Sequence, residues 1–230
     1  MQFDIKDFRM RYPEMEPYIG NEYAKAQKNH CALLVIGESH YLPERSTIHK
    51  NCSTWYASDH TLLDQEERGW ISTSEIITEE IPKDFPNRAH GIWKYGYRQI
   101  NHCGPRFNDY RTLFNYTVFY NFYLRPADYG NTFKTLCNPY DNAVANCYFN
   151  TMVEQYQPNG IIFLSRLAFE SCEGKETLSM TIAGAPHPTC YWWNKKCGKY
   201  GNRFGRDIIQ DGVKGMDWSW AKSPINNGLN

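Results

Sequence analysis

The chain has 230 residues, 41% of them hydrophobic, which is long enough and apolar enough to bury a core in one large domain. Its 25 basic and 25 acidic residues cancel, so it lacks the overall positive charge typical of proteins that bind nucleic acids or membrane surfaces. Any such partner would have to bind a local patch. The aromatic fraction of 16% also supplies rings that can stack on flat ligands.

No run approaches the roughly 18 apolar residues that a membrane span needs, and the N-terminus lacks the apolar segment of a secretory signal. We therefore expect a cytoplasmic protein with no membrane partner. The eight cysteines contain no CxxC pair, so their spacing favours neither a metal site nor a cluster. We expect a monomer without metal or cofactor.

The N-terminal residues 1–30 indicate an arm with one helix. Residues 31–41, CALLVIGESHY, start with an unbroken apolar run that is short and partly β-branched. This pattern predicts a buried parallel strand that ends at Gly37 in a polar loop. Ligands of open α/β sheets bind at the carboxyl ends of such strands. The first candidates for chemistry are therefore the four residues after the glycine: Glu38, Ser39, His40 and Tyr41. In the alternative interpretation, Glu38 and His40 only cap the next helix.

Residues 46–113 carry the weakest pattern. Within them, residues 59–84 hold eight acids against two bases, which predicts a solvated helical face. Glycines and prolines divide the rest into short pieces. We interpret this region as an insertion that decorates the sheet.

Three more buried strands are predicted from apolar and β-branched runs at residues 116–124, 160–164 and 178–183. Helical patterns at 141–156 and 167–172 separate them, and another helix lies around 206–210. Strands that alternate with helices in this order form parallel sheets with right-handed crossovers. The sequence therefore predicts a three-layer α/β/α sandwich with a mainly four-stranded parallel sheet, in one domain over residues 1–230.

Two further polar residues stand at strand ends. Asn121 interrupts the second strand, and a buried carboxamide must find a partner in backbone, water or ligand. His187 follows the fourth strand between two prolines, which hold its backbone stiffly. The alternative for His187 is an ordinary loop histidine with its hydrogen bonds satisfied.

These motifs together resemble the uracil-DNA glycosylase superfamily. Its first motif reads GQDPY or GEAPG where this chain has GESHY, its second strand ends in Asn, and its last motif reads HPS where this chain has HPT. The likeness covers residues 31–45 and 114–210. It implies a glycosylase that flips a deaminated, uracil-like base out of DNA and hydrolyses the N-glycosidic bond without a cofactor.

The resemblance also implies roles for individual residues. Asn121 matches the amide that reads the base, and His187 matches the donor to the base carbonyl. Glu38 and the backbone of Ser39 and His40 would line the pocket. Tyr41 falls at the position that excludes the thymine methyl group. A ring from the region before the second strand, Tyr56 or Trp55, would stack on the base.

One position departs from the family pattern. The water-activating carboxylate of GQDPY falls on Ser39, which cannot accept a proton from water at neutral pH. Loss of a positioned base typically costs roughly 10²- to 10⁴-fold in rate. Members with GEAPG also lack this acid, and Glu38 or His40 could position the water instead.

A local basic patch follows the HPT motif. Residues 191–206, YWWNKKCGKYGNRFGR, carry five basic residues and no acid. These are Lys195, Lys196, Lys199, Arg203 and Arg206. Such cations can meet phosphates while Trp192 or Trp193 stacks on or between bases. The alternative is a solvated loop with its tryptophans in the core.

Two other functions remain open from the sequence. The same pocket could bind a nucleobase or nucleic acid without cleaving it. Alternatively, Glu38 and His40 could serve as acid and base in a hydrolase of small substrates.

Overall fold

A computed structural model of the chain describes residues 3–222. The fold is mixed α/β and is built around a five-stranded, mainly parallel sheet. The strands are β1 (Tyr18–Ile19), β2 (Leu33–Leu42), β3 (Thr117–Asp128), β4 (Gly160–Phe163), β5 (Thr181–Gly184), β6 (Lys196–Cys197) and β7 (Arg203–Phe204). The helices are α1 (Ile5–Arg11), α2 (Tyr23–Lys28), α3 (Cys52–Ala57), α4 (Gln65–Ile71), α5 (Thr73–Glu80), α6 (Gly91–Cys103), α7 (Pro139–Tyr156), α8 (Arg166–Ser171), α9 (Ile209–Gly212) and α10 (Ser219–Lys222).

The main sheet has the order β1-β3-β2-β4-β5, and β6 and β7 form a separate ribbon. The four predicted strands are confirmed as β2 to β5, and they pair with one another in parallel. The sequence did not predict β1, which has only two residues and pairs antiparallel with β3 at the edge.

Residues 38–41 belong to β2 and not to a loop, which corrects the predicted end of this strand at Gly37. Past Ile36, β2 has no further pairing with β4, but it continues to pair with β3. The register with β3 shifts between Ser39 and Tyr41. This irregularity is where β3 accommodates Pro126, because an irregular ladder does not need the missing N–H donor.

Each face of the sheet is covered by its own hydrophobic cluster. Leu34 and Ile36 pack on one side with Tyr148 of α7, while Leu33 and Val35 pack on the other with Tyr97 of α6. Successive residues of a strand point to opposite faces, so the unbroken apolar run in β2 reflects burial on both sides. This arrangement is compatible with the predicted three layers.

Helix α7 starts before the predicted residue 141. Asn138 caps it in a capping box with Asp141, and Pro139 occupies its first position. Residue 141, where the predicted helix began, therefore lies within the first turn. The helix ends at Tyr156, as predicted, because Gln157 adopts a left-handed conformation.

The region 46–113 contributes residues to the hydrophobic core. Its longest helix, α6, contributes Trp93, Tyr97 and Ile100 to the cluster on one face of the sheet. Aromatic rings extend this packing, since Tyr97 stacks on Phe114 with 3.7 Å between ring centroids. Trp55 and Ile71 of the same region pack in the cluster on the opposite face, so residues 46–113 contribute to both sides of the sheet.

Candidate functional site

A cavity of about 720 Å³ lies beside the part of β2 that extends past β4. Its walls come from three places: the ends of β2 and β3, the turn after β5, and the region 46–113. The lining residues are Ser39, His40, Tyr41, Gly69, Trp70, Ile76, Asn87, Arg88, Ala89, His90, Ile92, Trp93, Asn121, Tyr129, Gly130, His187 and Thr189. This volume is typical of small-molecule sites, which span about 300–1,000 Å³.

Asn121 lines this cavity and is only 7% exposed. Its carboxamide makes no hydrogen bond with any residue between positions 3 and 222. Asn121 pairs in register with Gly37 of β2, and a Cβ atom at position 37 would lie 2.1 Å from Asn121 Oδ1. The glycine therefore makes room for the amide, and the amide has free donor and acceptor groups.

His187 lines the same cavity. Its Nδ1 lies 2.8 Å from Thr189 Oγ1 and accepts a hydrogen bond from the Thr189 backbone N–H at 3.3 Å. Because a backbone N–H can only donate, the neutral ring must carry its proton on Nε2. Burial lowers the pKa of His187, although the charge of Glu38 opposes this effect. The neutral ring thus presents an N–H donor at Nε2, which has no partner within residues 3–222.

Glu38 does not line the cavity, contrary to the prediction. Its carboxylate accepts hydrogen bonds from Thr132 Oγ1 at 2.9 Å, from the Phe133 N–H at 3.0 Å and from Ser165 Oγ at 2.7 Å. These bonds tie the end of β2 to the segment after β3 and to the N-cap of α8. The carboxylate is therefore held as a structural acceptor, and it is not free to position water.

His40 lines the cavity but is also held by the protein. Its Nε2 lies 2.9 Å from Thr73 Oγ1, and burial lowers its pKa to about 4. The ring is therefore neutral at physiological pH, and its Nε2 is already bonded. The hydrolase that would use Glu38 and His40 as acid and base loses its support, because both side chains have partners in the fold.

Ser39 and Tyr41 both line the cavity, as predicted. The hydroxyl of Ser39 is buried and has no hydrogen-bond partner within residues 3–222. Burial, reinforced by the charge of Glu38, raises the pKa of Tyr41, so its phenol is neutral. Both residues offer neutral hydroxyl groups to the cavity.

Tyr56 and Trp55 do not reach the cavity, so the predicted stacking ring is wrong. Tyr56 is buried in the core and donates a hydrogen bond to Asp141 Oδ1 at 3.1 Å. Trp55 stacks on Tyr12 and donates from Nε1 to the Leu124 carbonyl. The hydrophobic cluster on the other face of the sheet, away from α6, takes up both rings.

Other aromatic residues line the cavity in their place. Trp70 and Tyr129 meet edge to face, with 5.1 Å between ring centroids, and Trp93 lines the wall formed by α6. Sequence reasoning missed all three. Their only signal was the high aromatic content, because nothing local indicates which rings a distant segment brings to a site.

The basic patch is less free than its composition indicated. Lys199 pairs with Glu170 at 2.8 Å, Arg203 with Asp211 at 3.0 Å, and Arg206 lies 3.8 Å from Asp207. Lys195 lies over the rings of Tyr191 and Trp192, and Lys196 lies over Phe204. Within residues 3–222, these two lysines form no ion pair.

The two tryptophans of this patch differ in exposure. Trp192 is 46% exposed, whereas Trp193 is 5% exposed and packs in the cluster below α6. Only Trp192 can meet a partner without unfolding the loop. The prediction that Trp193 contacts DNA is therefore wrong.

None of the residues that line the cavity is acidic, among those that the structure describes, while Arg88 and three histidines are present. The cavity thus suits a ligand that is neutral or negatively charged. In the same part of the chain, no cluster of three or more His, Cys, Asp or Glu residues is arranged to hold a metal ion. No helix within residues 3–222 is both long and apolar enough to cross a membrane.

Neither family models nor curated proteins provide a match to this chain. The resemblance to uracil-DNA glycosylases therefore rests on the sequence motifs alone.

Proposed function

We propose that the cavity binds a uracil-like base extruded from DNA and that the protein hydrolyses its N-glycosidic bond. One observation carries this proposal: the amide of Asn121 and the Nε2–H of His187, both without a partner in residues 3–222, line a single cavity. An amide offers a donor beside an acceptor, which complements the ring N–H and exocyclic carbonyl of uracil. The aromatic rings of Trp70 and Tyr129 provide faces and edges for the flat heterocycle.

The chemistry follows from these groups. As the C1′–N1 bond breaks, its electron pair passes to the base and positive charge develops on the sugar. The Nε2–H of His187 donates to the base carbonyl, where negative charge accumulates. Water then adds to C1′ and loses a proton to solvent, and the released base takes up a proton. Because no carboxylate lines the cavity in the described chain, the water attacks a sugar that is already cationic, with the Ser39 hydroxyl nearby.

The exposed part of the basic patch supports contact with DNA. Trp192 can stack on bases, and Lys195 and Lys196 can approach phosphates. The three other cations of the patch are already paired with acids of the fold. We therefore expect a modest electrostatic contribution to binding.

A strand-nicking assay tests the proposal. Single- and double-stranded oligonucleotides with one uracil are incubated with the protein and then treated with alkali, which cleaves at abasic sites. Wild type is expected to produce the cleaved strand, and His187→Ala and Asn121→Ala are expected to produce at least a hundredfold less. His102→Ala and Asn150→Ala, at exposed positions outside the cavity, serve as matched controls. Activity that survives both cavity substitutions would refute the proposal.

A second function has one observation in its favour. The lack of an acidic residue in the described cavity lining suits a module that binds a nucleobase without cleaving it. In that case, wild type would bind free uracil and uracil-containing DNA, and Asn121→Ala would weaken this binding, but no abasic product would form.

A further inference from the structure

The wall of the cavity formed by residues 87–93 lies outside the segments that resemble the glycosylases. A short 3₁₀ helix, Arg88–His90, leads directly into the 13-residue helix α6, and its residues line the cavity. His90 is the N-cap of α6, and its side chain makes no capping hydrogen bond. The N–H groups of Ala89, His90 and Gly91 already donate to oxygens of Asn87 and Arg88, so this end of the helix favours an anion through its positive dipole.

Arg88 adds a full positive charge to this wall. Its side chain is exposed, lines the cavity and forms no ion pair or hydrogen bond with residues 3–222. The nearby acid, Glu80, lies outside the lining and is bonded to His90, with 3.2 Å between Oε2 and Nδ1. A guanidinium group that is free at the rim of a cavity without acidic lining can bind an anion with little competition.

A separate observation points to a ligand in this cavity. The amide of Asn121 is more than nine-tenths buried, has no partner within residues 3–222 and lines the cavity. Burying such a group without a partner costs free energy, which a ligand would offset. The Ser39 hydroxyl, also buried without a partner in that range, is a second such group.

The cavity wall formed by residues 87–93 adjoins the residues that we propose to bind the base. A Cβ atom at Gly91, the first residue of α6, would lie 2.5 Å from Thr189 Cγ2, so the helix packs tightly against the loop that holds His187. The next residue, Ile92, approaches Gly37, since a Cβ atom at position 37 would lie 3.2 Å from Ile92 Cδ1. One ligand can therefore contact both regions.

We propose that Arg88 and the N-terminus of α6 form a phosphate subsite for the nucleotide whose base binds at Asn121 and His187. This inference rests on the proposed function for the base and extends the ligand to a phosphorylated nucleotide. Phosphate oxygens accept hydrogen bonds from a guanidinium group, and the positive dipole end of a helix favours their negative charge. The cavity, at about 720 Å³, lies within the range of sites that hold ligands larger than a single ring.

Calorimetric titration of four ligands tests the subsite: uracil, deoxyuridine, deoxyuridine 5′-monophosphate and inorganic phosphate. We expect wild type to bind the monophosphate about ten- to a hundredfold more tightly than deoxyuridine, because charged hydrogen bonds are strong. Arg88→Gln is expected to remove this difference, so that deoxyuridine and its monophosphate bind with similar affinities. Arg106→Gln, at an exposed arginine outside the cavity lining, serves as the matched control.

The results separate the subsite from the base site. Equal affinities for deoxyuridine and its monophosphate, or a difference that survives Arg88→Gln, would overturn the subsite while the base site stands. Binding of inorganic phosphate that depends on Arg88, without binding of uracil, would support the subsite and refute the proposed base site. Failure of all four ligands to bind would refute both.

A fifth ligand identifies the source of the phosphate. A short single strand with one uracil presents phosphodiesters, whereas the monophosphate is a free nucleotide. If Arg88→Gln weakens binding of both by about tenfold or more, the subsite accepts the phosphate of a strand. If only the monophosphate is affected, the subsite is specific for a free nucleotide. Either result supports a phosphate subsite, and no effect on either ligand overturns it.

Discussion

Gly37 and Asn121 are register partners on adjacent strands. The amide oxygen of Asn121 occupies the space that a side chain at position 37 would need. A Cβ atom at position 37 would lie 2.1 Å from Asn121 Oδ1, whereas real Cβ contacts essentially never fall below 3.0 Å. The free amide in the cavity therefore depends on a glycine in the neighbouring strand.

Gly37→Ala is expected to displace the Asn121 amide and to weaken uracil binding at least tenfold. The added methyl group also overpacks the core, which should lower the free energy of unfolding by about 1–3 kcal/mol. Calorimetric titration with uracil and urea denaturation measure the two effects. Gly198→Ala, whose Cβ would meet open space, serves as the control. Unchanged uracil affinity in Gly37→Ala would show that the position of the amide does not matter.

Ser39→Ala should lower activity without lowering stability. The Ser39 hydroxyl is buried without a hydrogen-bond partner in the described chain, so its removal is expected to leave the free energy of unfolding unchanged or to raise it by about 1 kcal/mol. If the hydroxyl helps to hold the attacking water, kcat falls while uracil affinity stays the same. Urea denaturation and the nicking assay measure both. A stability loss above about 1 kcal/mol would mean that the hydroxyl has a structural partner.

His40 should make the fold sensitive to acid. Burial lowers its pKa from 6.5 to about 4, so the unfolded chain takes up a proton between these values while the folded protein does not. The stability due to neutral His40 is therefore complete above pH 6.5 and is lost as the pH falls towards 4, by about 3 kcal/mol in total.

His40→Gln cannot show this loss. We expect the variant to be less stable than wild type at pH 7. The difference in free energy of unfolding between the two proteins should become about 3 kcal/mol smaller at pH 4. Urea denaturation across this range provides the measurement. Parallel stability curves for the two proteins would contradict the prediction.

Neutralising the buried pair of Arg125 and Asp141 should lower the free energy of unfolding more than neutralising an exposed acid does. Their side chains are 1% and 0% exposed, with 2.5 Å between Arg125 Nη2 and Asp141 Oδ2. Asp141→Asn leaves a buried guanidinium without its counter-charge and is expected to cost about 3–5 kcal/mol of unfolding free energy. Glu176→Gln removes a carboxylate that is 71% exposed from its pair with Lys175 and should cost less than about 1 kcal/mol. Similar losses in both variants would contradict this account.

Alanine substitution of the adjacent residues Trp192 and Trp193 should affect different properties, DNA binding for Trp192 and stability for Trp193. Trp193 is buried, so Trp193→Ala is expected to lower the free energy of unfolding by about 3–5 kcal/mol. Trp192 is exposed, so Trp192→Ala should change stability by less than about 1 kcal/mol but weaken binding of single-stranded DNA by about 1–3 kcal/mol. Denaturation and fluorescence titration with an oligonucleotide distinguish these effects. Unchanged DNA affinity in Trp192→Ala would exclude this loop from the interface.

The sequence by itself determined the strands of the parallel sheet and nominated Asn121 and His187. It placed Asn121 near the end of its strand, whereas β3 continues from Asn121 to Asp128. Continuous apolar runs and the polar residues that end them are local patterns, and burial on both faces of a sheet imposes them directly. The same local logic failed at β1, which is held by only two residues at the edge.

Only the tertiary structure decided which polar groups are free. Glu38 and His40 carry the residue types of a catalytic pair, but Ser165 and Thr73, which are distant in the chain, take up their hydrogen bonds. Conversely, Arg88 comes from a region with no recognisable motif, and the packing of α6 brings it to the cavity wall. Hydrogen bonding and burial depend on neighbours in space. A sequence pattern can therefore indicate a candidate side chain, but it cannot show whether that side chain is already hydrogen-bonded within the fold.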